Sequence, residues 1–206
     1  MAYTTIDNPE LHFQVKTYSG DGSAQSITLD GDEDMQPDFI WGKRRNSSAA
    51  HELYDSVRGT TKYLISNSTA AEDTNTNGIS AFNSDGFTLA GNSSINNGTI
   101  VAWCWKAGGS ASSDSNGSIT SSVSANTTAG FSIVAYTGNE TAGATVGHGL
   151  GAVPQTYWVK SRSVADGWRI YHHKVASDPE TDYLVLNNNN AVADSAGYWN
   201  DTAPTS

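Results

Sequence analysis

The sequence is poor in cysteine, in charge and in long apolar runs, and each shortage excludes something. One cysteine, Cys104, cannot form an internal disulfide framework. In its setting "VAWCWK" it reads as a small buried strand residue, the usual habit of a free cysteine, with a nucleophilic thiol as the rival reading. Asp, Glu, Lys and Arg supply only 16% of residues, well below the roughly 25% of ordinary soluble domains. The balance is acidic, 21 acids against 11 bases for a formal net charge of -10. A phosphate backbone would be repelled overall, so nucleic-acid binding is not expected, and an anchor on anionic lipid is disfavoured. No apolar run approaches the length of a membrane-spanning helix, and "MAYTTIDNPELHF" lacks the basic and apolar regions of a secretory signal. The expectation is a chain made in a cytoplasm, without signal peptide or membrane insertion.

Catalytic signatures are missing as well. There is no G-x-S-x-G, no P-loop and no G-x-G-x-x-G, so neither an enzyme nor a cofactor is expected. His172 and His173 are adjacent and would face opposite sides of a strand, and His148 in "GHGLG" has no Cys or His at zinc-ligand spacing. Asp178 and Glu180 lie in an evident loop, "SDPETD". The run "LDGDEDMQPD" places Asp30, Asp32 and Asp34 at alternate positions, like the start of an EF-hand loop. Met35 then stands where the turn glycine belongs and Trp41 where the bidentate glutamate belongs. That leaves a weak metal candidate beside the plainer reading, a solvated acidic hairpin loop. Sequons at Asn67, Asn126 and Asn139 arise freely in a chain of this composition.

Asn, Ser, Thr and Gly take the place of charge, and these residues favour turns over helix interiors. Six Trp and nine Tyr argue for a packed core, because rings of that size need one. Short β-branched and aromatic runs recur: "DFIWGKR", "KYLIS", "TIVAWCW", "FSIVAY", "TYWVKSR" and "DYLVLN". Each is bounded by Gly, Asn, Asp or Pro, which predicts an all-β sandwich fold of the jelly-roll or lectin-like kind. "SAAHELYDSV" (48–57) offers at most two helical turns, whereas "VADGWRIYHH" reads as a strand.

The most informative feature is an internal repeat. "FQVKTYSGDG" (13–22) aligns with "FSIVAYTGNE" (131–140), and "PDFIWGKRR" (37–45) with "PQTYWVKSR" (154–162). Tyr54 aligns with Tyr171, "KYLISN" (62–67) with "DYLVLN" (182–187), and "AFNSD" (81–85) with "YWNDT" (198–202). Five landmarks in one order predict two tandem units. The boundaries are an N-terminal arm (1–12), unit one (13–105), a Gly/Ser/Thr-rich flexible linker (106–130) in which "SITSSVS" could add an edge strand, and unit two (131–206). Unit two contains nothing like the closing runs "GFTL" and "TIVAWCWK" of unit one.

The aligned segments share a Trp followed by cations. As strands they place Trp41, Lys43 and Arg45 on one face, and Trp158, Lys160 and Arg162 on another. The functional reading is a strip for sugars or carboxylates. The structural reading is indoles covered by Lys and Arg stems and neutralised by nearby acids. Arg44 stands apart, because its counterpart is Ser161 and it lies on the opposite face. In "DSVRG", Asp55 and Arg58 read as a turn lock closed by Gly59.

"PDFIWGKRRNSSAAHELYDSVRGTTKYLISNST", "FNSDGFTL", "VAWCWKAGG", "FSIVAYTGNETAGATVGHGLGAVP" and "YWNDTAPTS" resemble a repeat found in tail-fibre-like virion proteins of tailed bacteriophages, especially marine ones. The resemblance covers nearly the whole chain, including the opening "MAYTTIDNP". It implies a non-enzymatic virion component, part of a tail fibre or similar appendage serving host adsorption. The partners implied are copies of the chain, with a trimer favoured, other virion proteins and host-surface glycan. Two other readings stand beside it: a capsid-surface decoration protein, and a carbohydrate-binding lectin-like module.

Overall fold

The computed structural model describes residues 6–206, so the first part of the expected N-terminal arm lies outside the described residues. A turn of 3-10 helix at Pro9–Leu11, capped by the Asn8 side chain, leads into β1 (Phe13–Asp21). Next come β2 (Gln25–Ile27), β3 (Phe39–Arg44), β4 (His51–Asp55), β5 (Lys62–Ile65), β6 (Asp73–Thr74), β7 (Ile79–Asn83), β8 (Gly86–Leu89) and β9 (Asn97–Trp105). The second half carries β10 (Ser112–Asp114), β11 (Ser121–Asn126), β12 (Phe131–Tyr136), β13 (Thr156–Val159), β14 (Arg169–His172), β15 (Asp182–Val185), β16 (Ala193–Asp194) and one helical turn, α1 (Ala196–Trp199). The fold is an all-β sandwich.

A six-stranded antiparallel sheet, in the order β1-β9-β3-β4-β5-β6, is the central layer. β9 lies between β1 and β3, with Trp103 opposite both Val15 and Trp41. Strand alternation turns Ile40, Tyr54, Ile100, Ala102 and Cys104 to one face, where they pack on Ile27, Ile79, Phe87 and Leu89 of the β2-β8-β7 sheet. The β7–β8 turn requires Gly86. Its φ is +102°, and a Cβ there would fall 2.0 Å from the Ile27 carbonyl oxygen.

The opposite face of the large sheet is covered by the C-terminal part of the chain. Trp168 enters a buried cluster with Leu53 and Leu64, flanked by Phe39, Trp41 and Leu186. The Trp168 indole N–H donates to the Ile65 carbonyl (2.9 Å), and Phe131 stacks on Trp105 with ring centroids 6.3 Å apart. Backbone bonds reinforce the join, from Glu72 N–H to the Arg162 carbonyl and from Asp166 N–H to the Thr69 carbonyl, both 2.9 Å.

One expectation needs correction, and two segments are specified further. Residues 106–130 are not a flexible linker, because they carry β10 and β11, and β11 is the central strand of a β10-β11-β12 sheet and not an edge strand. The segment is tied to the first half by Asp38, whose carboxylate accepts from Ala107 N–H (2.9 Å) and Gly109 N–H (3.1 Å). The Ser124 hydroxyl adds bonds to the backbone of Gly108 and Gly109. Residues 48–57, for which at most two helical turns were open, carry the strand β4. Its burial hides the alternation, since four of its five residues are buried between layers. Residues 6–12 of the expected arm are held against the first half of the chain. The Glu10 carboxylate accepts from Asp32 N–H (2.8 Å), and the His12 carbonyl accepts from Lys106 N–H (2.9 Å).

Candidate functional site

The cations singled out in the sequence are placed by the two aligned strands, and most of them serve the fold. Lys43 sends its ammonium to the carbonyls of Arg44, Ser47 and Ala49 at 2.7 to 3.0 Å, so its three donors close the β3–β4 hairpin. Lys160 repeats the first of these bonds, donating to the Ser161 carbonyl at 2.7 Å. Burial pulls its pKa below the ordinary lysine value, and Asp166 only partly opposes that. Arg44 donates to the Asn46 side chain (3.1 Å) at the same hairpin. Arg45 has an exposed side chain, and its backbone N–H bonds the Thr99 carbonyl (2.7 Å).

Arg162 departs furthest from the strip reading. Its guanidinium forks onto both carboxylate oxygens of Glu72 at 2.9 Å. Arg58 reaches the same Glu72 (3.3 Å), Asp55 (2.5 Å) and the Leu53 carbonyl (2.9 Å). The expected turn lock is therefore present, with Arg58 N–H also donating to Asp55 (2.8 Å) and Gly59 at φ +89°. It extends into a network joining the β4–β5 turn to the β13–β14 loop. Burial alone would raise the Glu72 carboxyl, but the bonds and charges of Arg162 and Arg58 outweigh it and hold the group below its usual range.

Asp30, Asp32 and Asp34 do not converge. Asp30 pairs with Lys16, and Asp32 is held through its backbone by Glu10. Among the described residues no group of three metal-ligating side chains comes together. Cys104 is buried in the core with its thiol pushed up to about 12, as expected of a packing residue.

The aromatic members of the strip do gather. Trp103, Trp41 and Trp158 form a ladder of edge-to-face indoles, with centroids 6.1 and 5.8 Å apart. The two aligned tryptophans, Trp41 and Trp158, thus meet across the join between the layers. The Trp41 N–H is directed to His51 Nδ1 (3.3 Å), while Trp158 remains 42% exposed.

Beside this ladder lies the most distinctive arrangement in the molecule. β13-β14-β15-β16 repeats the order and antiparallel pairing of β3-β4-β5-β6, with Tyr157 opposite Tyr171 where Ile40 is opposite Tyr54. β12 aligns with β1, yet β12 and β13 belong to separate sheets and each ends its sheet. In the first half the position between β1 and β3 is filled by β9. Between β12 and β13 no described residue pairs with either outer edge. Tyr136 and Tyr157 border this position, and the Tyr157 phenol is pushed up by burial, then by Tyr171 and Tyr136. Trp199 caps the same face, edge-on to Tyr157 at 4.9 Å, with its indole N–H on the Asp182 carbonyl (2.8 Å). Sequence reasoning gave no site role to Trp103, Tyr136, Tyr157 or Trp199. The signal that could have found three of them was in the alignment, where Tyr136, Tyr157 and Trp199 are the counterparts of Tyr18, Ile40 and Phe82.

The chain belongs to the family described as a domain of unknown function (DUF7483), whose profile matches residues 8–206. No curated protein and no solved structure matches it.

Proposed function

We propose that this DUF7483 chain is a non-enzymatic structural component of a tailed-phage virion, built into a tail fibre or similar appendage that serves host adsorption. The resemblance of its long motifs to such proteins suggests the setting. The observation that supports an assembly role is that β12 and β13, aligned with the two strands that flank β9, each leave an outer edge unpaired. Open edges invite unwanted pairing and are ordinarily blunted, whereas assembling proteins use them as joints. The cations support the same reading, since Lys43, Arg58 and Arg162 are occupied with carbonyls and carboxylates of the chain itself. Cyclic association of identical chains, as a trimer, fits a fibre. Cross-linking mass spectrometry on intact particles tests the proposal. Cross-links to tail-appendage subunits are the expected result, cross-links to capsid subunits alone would favour a decoration protein, and polysaccharide cleavage by the purified chain would overturn the non-enzymatic assignment.

The half-exposed Trp158 indole favours a second reading, a lectin-like contact with host glycan, because sugars stack on exposed aromatic faces. Glycan-array binding that disappears in Trp158→Ala while the fold is retained is the result expected of that reading.

A further inference from the structure

The segment 106–130 lies outside the repeated landmarks, and its small polar residues line a cleft of about 370 Å³. β10 and β11 build it. Ser112 lies opposite Val123 and Asp114 opposite Ser121, so strand alternation sets Ser112 and Asp114 on the same face as Val123 and Ala125. Gly108, and Gly149 from the loop after β12, complete the lining. A second cleft, of about 420 Å³, shares Gly108 and Ala125 with the first and is bordered by Lys106, Gln36 and Thr127. Both volumes fall in the range of small-molecule sites, about 300–1,000 Å³.

Buried bonds set the shape of these clefts before any ligand arrives. Asp38 holds the N–H groups of Ala107 and Gly109. The Ser124 hydroxyl accepts from Gly108 N–H (3.0 Å) and donates to the Gly109 carbonyl (2.7 Å). Other polar groups of the lining are unused. Among the described residues, nothing bonds the hydroxyls of Ser110, Ser112 and Ser115 or the Lys106 ammonium. Asp114 Oδ1 accepts from Asn116 N–H (2.8 Å), which leaves Oδ2 without a partner among the same residues.

Hydroxyls that donate and accept, a carboxylate oxygen and an ammonium, set beside the apolar Val123 and Ala125, complement a ring that carries hydroxyls around an aliphatic body. An apolar ligand would desolvate those groups without pairing them. An acidic one would meet Asp114 and a chain of formal net charge -10. We infer that the adjoining clefts bind a neutral saccharide, one sugar unit in each, with the linkage crossing at Gly108 and Ala125. This goes beyond the virion reading and names a site apart from the aromatic contact, since Trp158 lines neither cleft.

The test presents the intact chain with defined oligosaccharides: neutral ones of glucose, galactose, mannose and N-acetylglucosamine, and acidic ones bearing sialic or uronic acid. Expected are saturable binding of a neutral oligosaccharide and amide chemical-shift changes centred on residues 106–116 and 123–127 of the unmodified chain. Asp114→Asn keeps an acceptor for Asn116 N–H but loses the charge, and Ser112→Phe fills the first cleft. Each should weaken binding by at least about tenfold with thermal unfolding unchanged, whereas Trp158→Ala should leave affinity as it was. Should either variant unfold, the shift map of the unmodified chain still decides. No binding to any member of the panel would overturn the inference and leave the virion reading to its cross-links. Binding lost in Trp158→Ala, with shifts at Trp158 instead of 106–116, would overturn the cleft site in favour of the aromatic contact. A preference for the acidic oligosaccharides would overturn the ligand class.

Discussion

Arg58 is where single side chains decide most. Its side chain is 5% exposed and Asp55 is 6% exposed, so the pair is nearly dry, and Glu72 is shared with Arg162. Removing one member of a buried pair strands the other, at a cost of about 3–5 kcal/mol. Arg58→Ala should therefore lower unfolding stability in urea by that amount, whereas Arg162→Ala, more exposed, should cost about 1 kcal/mol or less. Equal losses in the two variants would contradict the burial difference. The carboxyls give opposite pH signatures. Glu72, held below its usual range by the two arginines, contributes stability above the ordinary carboxylate pKa that is lost as pH falls through its folded value. Glu52 is raised by burial, which its bonds to Tyr54 and Ser94 only partly oppose. It binds its proton more tightly in the folded state, so its penalty appears as pH rises through and beyond the ordinary carboxylate range. Glu52→Gln should stabilise the chain progressively with rising pH in urea titrations, and a pH-independent difference would refute this. Cys104 should react with a thiol reagent only at the rate of unfolding, because its thiol is both buried and little ionised.

At the scale of elements, the segment 106–130 shows what composition conceals. Gly, Ser and Thr gave it the look of a tether, but Asp38, 1% exposed, accepts from two of its backbone amides and fixes its start. Asp38→Ala should leave those buried donors unsatisfied, cost about 1–3 kcal/mol, and open residues 106–112 to limited proteolysis, while the parent chain resists there. Cleavage of the parent at the same place would show the tether reading to be right. The strands with strong aromatic and β-branched content, β3, β5, β9, β12, β13 and β15, were legible in the sequence because each presents the pattern alone. β4 was not, because both of its faces are buried. The partner of β12 was not either, because β11 is a Ser-rich run without rings, although the two strands form a local hairpin from Ser121 opposite Tyr136 to Asn126 opposite Phe131. Of the candidate site, the paired Trp–Lys–Arg segments were legible as a repeat. That Lys43 and Arg162 are consumed by hairpin carbonyls and by Glu72 was not, since those partners are set by loops and by the stacking of layers.

For the whole molecule, the join between the layers rests on Trp168 in its cluster with Leu53 and Leu64. Trp168→Ala should cost about 3–5 kcal/mol and loosen residues 131–206 before the remainder, which would appear as an early phase in tryptophan fluorescence during urea unfolding. The larger claim is that β12 and β13, the counterparts of the two strands that flank β9, each leave one edge unpaired in the isolated chain and serve as joints in assembly. Residue-resolved hydrogen exchange on the isolated chain tests it most directly. The outward amides of Phe131–Tyr136 and Thr156–Val159 should exchange faster than those of Asn97–Trp105 by at least about tenfold, because β9 is bonded on both edges and these two strands on one. Protection of all three strands to the same degree in the isolated chain would contradict it.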